Sequence, residues 1–144
     1  MDVVASVRTP HPPAQVWAVV SDLGTYPSWL DIVPVARPEA DGSWRVDLRG
    51  RLGPFARSKR LRMVRTQADE PALAVFEREE LDGRQHSPWV LRAEVAKDGD
   101  GSELTMRLHY GGSLWGPVLE RLLGDTIERS RGRLLAVLDR STSD

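Results

Sequence analysis

The sequence contains no cysteine. This excludes disulfides, thiol nucleophiles and thiolate metal sites, and gives no sign of an oxidising compartment. Lysine is almost missing too: 18 of the 20 basic residues are arginine, the better bidentate partner for a carboxylate. There is no excess of charge of either sign, the net value being −1, so nothing draws the chain to nucleic acid or an anionic membrane. No apolar run approaches the roughly 20 residues that cross a bilayer. The opening "MDVVASVRTPHPP" has neither the basic start nor the apolar stretch of a secretory signal. Phosphate loops and nucleophile elbows are also missing. These absences predict a soluble, cytoplasmic protein without stable membrane insertion, nucleic-acid partner or cofactor.

What is there fits one globular domain over residues 1–144, with 40% apolar and 28% charged residues. Val3, Ala5 and Val7 alternate with Val4, Ser6 and Arg8, predicting a strand. "TPHPP" stops it, and Pro13 suits the first turn of a helix, where its missing N–H is not needed. Val16, Val19, Val20 and Leu23 then recur at helical spacing, with Gly24 as the expected stop and Thr25 as the cap of a second short helix reaching Leu30. From there the period becomes two. "IVPVARPE" reads as an edge strand weakened by Pro34 and Pro38. "WRVDLRG", a stretch ending near Gln67, "PALAVFEREE", "HSPWVLRAEVAK" and "SELTMRLHYGG" supply five more strands. A helical stripe of Val118, Leu122, Ile127, Leu134 and Leu138 closes the chain, starting at Ser113 or Pro117 and ending near Arg140. Consecutive strands with tight turns, and helices segregated from them, predict an α+β fold: a seven-stranded antiparallel sheet, two short helices between strands 1 and 2, and one long C-terminal helix.

Alternation places Trp44, Val46, Leu48, Leu61, Met63, Trp89, Leu91, Ala93, Val95, Leu104, Met106, Leu108 and Tyr110 on one face of that sheet. Arg45, Asp47, Arg60, Arg62, Arg92, Glu94, Arg107 and His109 take the other. An antiparallel sheet with one wet face buries its other face, and only the final helix is long enough to cover it. A helix about 10 Å wide does not fill a curved sheet of that breadth. Either large side chains plug the gap or a cavity remains.

The order of elements resembles the helix-grip fold of the START/Bet v 1-like superfamily. "PPAQVWAVVSDLGTYPSWL", "ELTMRLHYGG" and "SLWGPVLERLL" are similar to its polyketide cyclase/dehydrase and lipid-transport branch. The resemblance covers essentially the whole chain. It implies a curved sheet wrapped around the C-terminal helix and a small hydrophobic partner (lipid, sterol, quinone or polyketide) held between them. Members either carry the molecule or cyclise and dehydrate it, and a subset assists quinone function or acts on ribosomes.

The residues expected around such a cavity are Trp29, Trp44, Leu48, Met63, Trp89, Leu91, Met106, Tyr110, Trp115, Thr126 and Ser130. Trp29 is expected to cap the space, with Pro27 fixing the break between the short helices and Tyr26 packing outside. Tyr110 is the inward group able to hydrogen-bond a ligand or donate a proton, and equally a tyrosine that simply packs. Gly116, Gly124 and Gly132 mark either a close approach to the helix or local tolerance. The facing of Phe76, Arg57 and Lys59 stays open; if the two cations share the parity of Leu61, they meet an anionic head group at the mouth. No catalytic residue is assigned. His11, His86 and His109 fall on unlike elements, so no metal site is expected. A carrier needs only the cavity, a cyclase needs several inward polar groups, and an interaction module needs an exposed apolar cluster or basic patch.

Overall fold

The computed structural model describes residues 2–52, 55–111 and 116–143; side chains 51–52, 55–57, 116–124, 126–127 and 142–143 are outside that description. Strand β1 (Asp2–Thr9) leads into helix α1 (Pro13–Val20) and a 3-10 helix (Leu23–Ser28). Strands β2 (Val35–Pro38), β3 (Trp44–Leu52), β4 (Phe55–Asp69), β5 (Leu73–Arg78), β6 (Trp89–Asp98) and β7 (Gly101–Tyr110) follow, and helix α2 (Gly116–Ser143) ends the chain. All seven strands form one antiparallel sheet in the order β1-β7-β6-β5-β4-β3-β2. The first strand therefore returns to pair with the last, and β2 forms the opposite edge, where its proline does least harm. A register shift between Arg65 and Gln67 bends the long β4 strand.

Three boundaries differ from those expected. Helix α1 stops at Val20 rather than at Gly24, and Asp22 rather than Thr25 caps the next turn by accepting a hydrogen bond from Gly24 N at 2.8 Å. Pro27 thus lies inside the 3-10 helix and does not make the break. The edge strand is shorter than "IVPVARPE" because Pro34 removes a ladder donor. Ile32 and Val33 consequently stay in a loop, buried, with Ile32 O accepting from Arg49 N at 2.9 Å.

The short helices are fixed to the sheet by polar contacts from apolar surroundings. Trp17 Nε1 donates to Leu73 O at 2.9 Å, and the Arg65 guanidinium donates to Ser21 O at 3.0 Å, satisfying a carbonyl at the C-terminus of α1. Farther along, His11 bridges Gln15 Oε1 (3.2 Å) and Asp139 Oδ1 (2.8 Å), while Gln15 Nε2 donates to Leu138 O at 2.8 Å. These contacts tie the C-terminal end of α2 to the β1–α1 turn. At the other side of the helix, Asp31 pairs with Arg133 and lies 4.0 Å from Arg129.

Candidate ligand cavity

Helix α2 meets the sheet along Ser130, Leu134 and Leu138, all nearly inaccessible to solvent and spaced four apart. Opposite them stand the inward side chains of β3, β4, β6 and β7, and the loop that follows the 3-10 helix closes one end. The surfaces do not meet everywhere. A cavity of about 130 Å3 remains between them. A single water needs about 10–15 Å3 by a comparable measure, and a hollow of about 150 Å3 with aliphatic and aromatic walls stays dry and accepts benzene.

Of the residues expected at the site, Trp29, Leu48, Met63, Trp89, Leu91, Met106 and Ser130 line this cavity. Trp44 and Tyr110 do not. Trp44 sits edge-on against Phe76, ring centroids 5.7 Å apart, and Tyr110 lies against Trp89 at 5.0 Å. Trp115, and the side chain of Thr126, lie outside the described residues, as does the side chain of Arg57. Trp89 is buried, and its indole N–H has no hydrogen-bond partner among the described residues. A buried donor left so costs about 1–3 kcal/mol.

Tyr26 corrects the expectation that it packs outside. It is fully buried and lines the cavity, its ring 4.6 Å from Trp29 and 6.3 Å from the inward-facing Phe76. The ring turns inward because its hydroxyl has a partner there: it donates to Val20 O at 2.8 Å, one of the carbonyls left open where α1 ends. Burial, with the nearby Asp22 charge, raises the Tyr26 pKa far above that of an ordinary phenol, so the ring stays neutral.

Several walls were not singled out from the sequence. Val3, Ala5 and Val7 of β1 face the cavity, as do Leu23, Leu30, Ile32 and Val33 from the helical region. The alternation of β1 is plain in the sequence, but its face is set by pairing with β7, a contact about 100 residues away. The register of Ala5 opposite Met106 decides it. Arg131 of α2 also lines the cavity, next to Ser130. Of the helix glycines, Gly132 has nothing within 4 Å of a Cβ placed on it, so it reflects tolerance and not close approach.

Lys59 does face inward, opposite Leu48 and two residues from Leu61. Leu48 and Leu61 line the hollow, and Lys59 does not. Partial burial lowers its pKa, and the Arg78 charge lowers it further. The outer face is an alternating charge ladder: Arg60–Asp47 at 3.0 Å, and Glu94 between Arg92 (2.9 Å) and Arg107 (3.0 Å). The expected "EREE" partners serve otherwise. Glu80 accepts from the backbone N of Arg62 and pairs with Arg78, while the Arg62 side chain reaches Asp41 at 2.9 Å.

No protein of curated function matches the sequence. Among solved structures, a START superfamily protein from Mycobacterium smegmatis is 19% identical, with TM-score 0.70 over 96% of this chain and 97% of its own. A protein from Geobacillus kaustophilus reaches TM-score 0.75 at 11% identity, over 98% and 97%. One from Nitrosomonas europaea reaches 0.72 at 9%, over 100% and 97%. At such identities the likeness is one of fold, and it is the helix-grip fold. The sequence model of the polyketide cyclase / dehydrase and lipid transport family matches residues 1–139. The chain belongs to that family.

Proposed function

We propose that the chain acts as a single START/Bet v 1-like domain that binds and carries a small hydrophobic or amphipathic molecule between its sheet and α2. The observation that carries this is the unfilled volume itself. Close-packed interiors tolerate few voids larger than water, yet about 130 Å3 remains here inside walls that are almost wholly hydrocarbon. Burying apolar ligand surface there gains about 25 cal/mol per Å2.

The cyclase alternative has less support. Among the described residues no carboxylate or imidazole lines the cavity. The Tyr26 hydroxyl is committed to Val20 O, and the Ser6 hydroxyl lies 3.1 Å from that of Thr105, on the outer side. An assembly-binding module has less still, since Arg60, Arg92 and Arg107 of the outer face are paired with carboxylates and, among the described residues, the exposed large apolar side chains, Val4 on β1 and Leu81 in the β5–β6 connection, are far apart in the chain.

Trp29 and Trp89 report on the site directly. Titration with small apolar molecules, aromatic and aliphatic, should change tryptophan fluorescence saturably and raise Tm, and native mass spectrometry should show one molecule per chain. A panel that produces neither a thermal shift nor a bound mass would overturn the proposal.

A further inference from the structure

Among the described residues that line the cavity, the one charged side chain is Arg131 of α2. We infer that the bound molecule is an amphipathic anion, its chain in the hollow and its acidic head group paired with Arg131. This rests on the proposal that the hollow is a ligand site and adds the chemical class of the ligand.

Arg131 is placed for it by helix geometry. Ser130, Leu134 and Leu138 mark the inward line of α2. Arg129 and Arg133 turn to Asp31 on one flank. At about 3.6 residues per turn, Arg131 falls on the opposite flank, where Val3, Ala5 and Val7 of the edge strand also line the cavity. Its side chain is 44% exposed and also lines the cavity, so it is reached both from the hollow and from solvent. A cation there can hold a head group at the rim without being buried itself, which spares the large desolvation penalty of an ion in hydrocarbon.

Its present partner is weak. Glu128, one turn back, lies 3.4 Å away and is 71% exposed. An i,i+3 pair of that kind is easily exchanged for a ligand carboxylate that comes with its own buried chain. The remaining inward cations are less suited. Lys59 does not line the cavity, and Arg78 is held by Glu80 at 3.2 Å and by Ser87 O at 3.3 Å. Carboxylate, sulfate and phosphate heads would all satisfy a guanidinium.

The experiment compares octanoate with 1-octanol at pH 8, where the acid is ionised, by tryptophan fluorescence or calorimetry on the full chain. Wild type should bind both. Arg131→Gln should weaken octanoate about tenfold and leave octanol within twofold. Glu128→Gln, which removes the competing carboxylate, should tighten octanoate alone, and added salt should weaken octanoate more than octanol. If both ligands bind but Arg131→Gln and Glu128→Gln leave their ratio unchanged, the head-group assignment is wrong while the hydrophobic site stands. If neither ligand binds wild type, and no other apolar molecule does, the hydrophobic site itself is wrong. Octyl sulfate and octyl phosphate, run in parallel, identify which head group is preferred.

Discussion

Ala5 is the place to test whether the hollow is truly empty. It lies mid-strand in β1, faces Met106 across the ladder, and lines the cavity. At about 24 cal/mol per Å3, a hollow of 130 Å3 leaves about 3 kcal/mol of possible stability unrealised. Ala5→Ile adds three carbons to that space on a β-branched frame that suits a strand. At about 0.8 kcal/mol per buried CH2 the ceiling is about 2.4 kcal/mol. Because Ala5 is only half-buried, about 1 kcal/mol is expected, equal to about 2–4 °C in Tm for a chain of this size. Urea unfolding should show a higher midpoint at unchanged slope. The same protein should bind apolar probes more weakly, since its new side chain occupies their place. A variant less stable than the parent would mean the space is already full and the addition overpacks it. A variant that is more stable but binds as well would separate the hollow from the binding site. Either result refutes the reasoning.

Tyr26→Phe should lose about 1 kcal/mol at pH 7 with its hydrogen bond to Val20 O. Since the folded pKa of Tyr26 is raised, its protonated form stabilises the fold below the unfolded value near 10 and that contribution falls away as pH rises further, so the variant should also show a shallower alkaline loss in urea titrations between pH 9 and 11. Lys59 behaves oppositely: its folded pKa is lowered, the penalty for its charge is complete below that value and vanishes as pH climbs toward the unfolded one. Lys59→Met should therefore be slightly more stable than the parent at neutral pH, the gain being held small by solvent screening, and no more stable near pH 11, by the same assay. Gly101→Ala should cost about 2–3 kcal/mol, because a Cβ there would lie 2.1 Å from Thr9 O in the rigid β1–β7 ladder, whereas Gly132→Ala, with open space around it, should stabilise α2 by about 0.5–1 kcal/mol.

What could be read from the sequence divides by range. Element order, the edge character of the proline-bearing strand, and the two faces of β3, β6 and β7 follow from period and punctuation within a dozen residues, and the fold agrees with them. Helix ends were less legible. Gly24 looks like a stop, but Asp22 two residues earlier supplies the cap, and a side-chain acceptor at that position outweighs a permissive backbone. The residues that needed long-range knowledge were missed. Tyr26 turns inward only because the end of α1 leaves a carbonyl within its reach. Phe76 faces inward because of a register with β4 and β6 that no local pattern sets. Arg131 reads as one more charge on a solvated helix face, half of an i,i+3 pair, until the edge strand is laid beside it.

Carrying and catalysing make different demands on the same hollow. Closing a ring by enolisation and water loss requires a proton to leave carbon and another to reach oxygen, and a positioned acid or base supplies about 10²–10⁴-fold of such rates. A neutral phenol that spends its hydrogen on a backbone carbonyl can do neither, and Tyr110, the other phenol, packs against Trp89 and does not line the cavity. The Arg131 guanidinium offers a fixed fork of N–H donors, which suits orienting an anion. Holding a molecule makes no such demand. It needs apolar walls and room, and β1, the sheet's inner face and one flank of α2 supply both, with Arg131 at their margin.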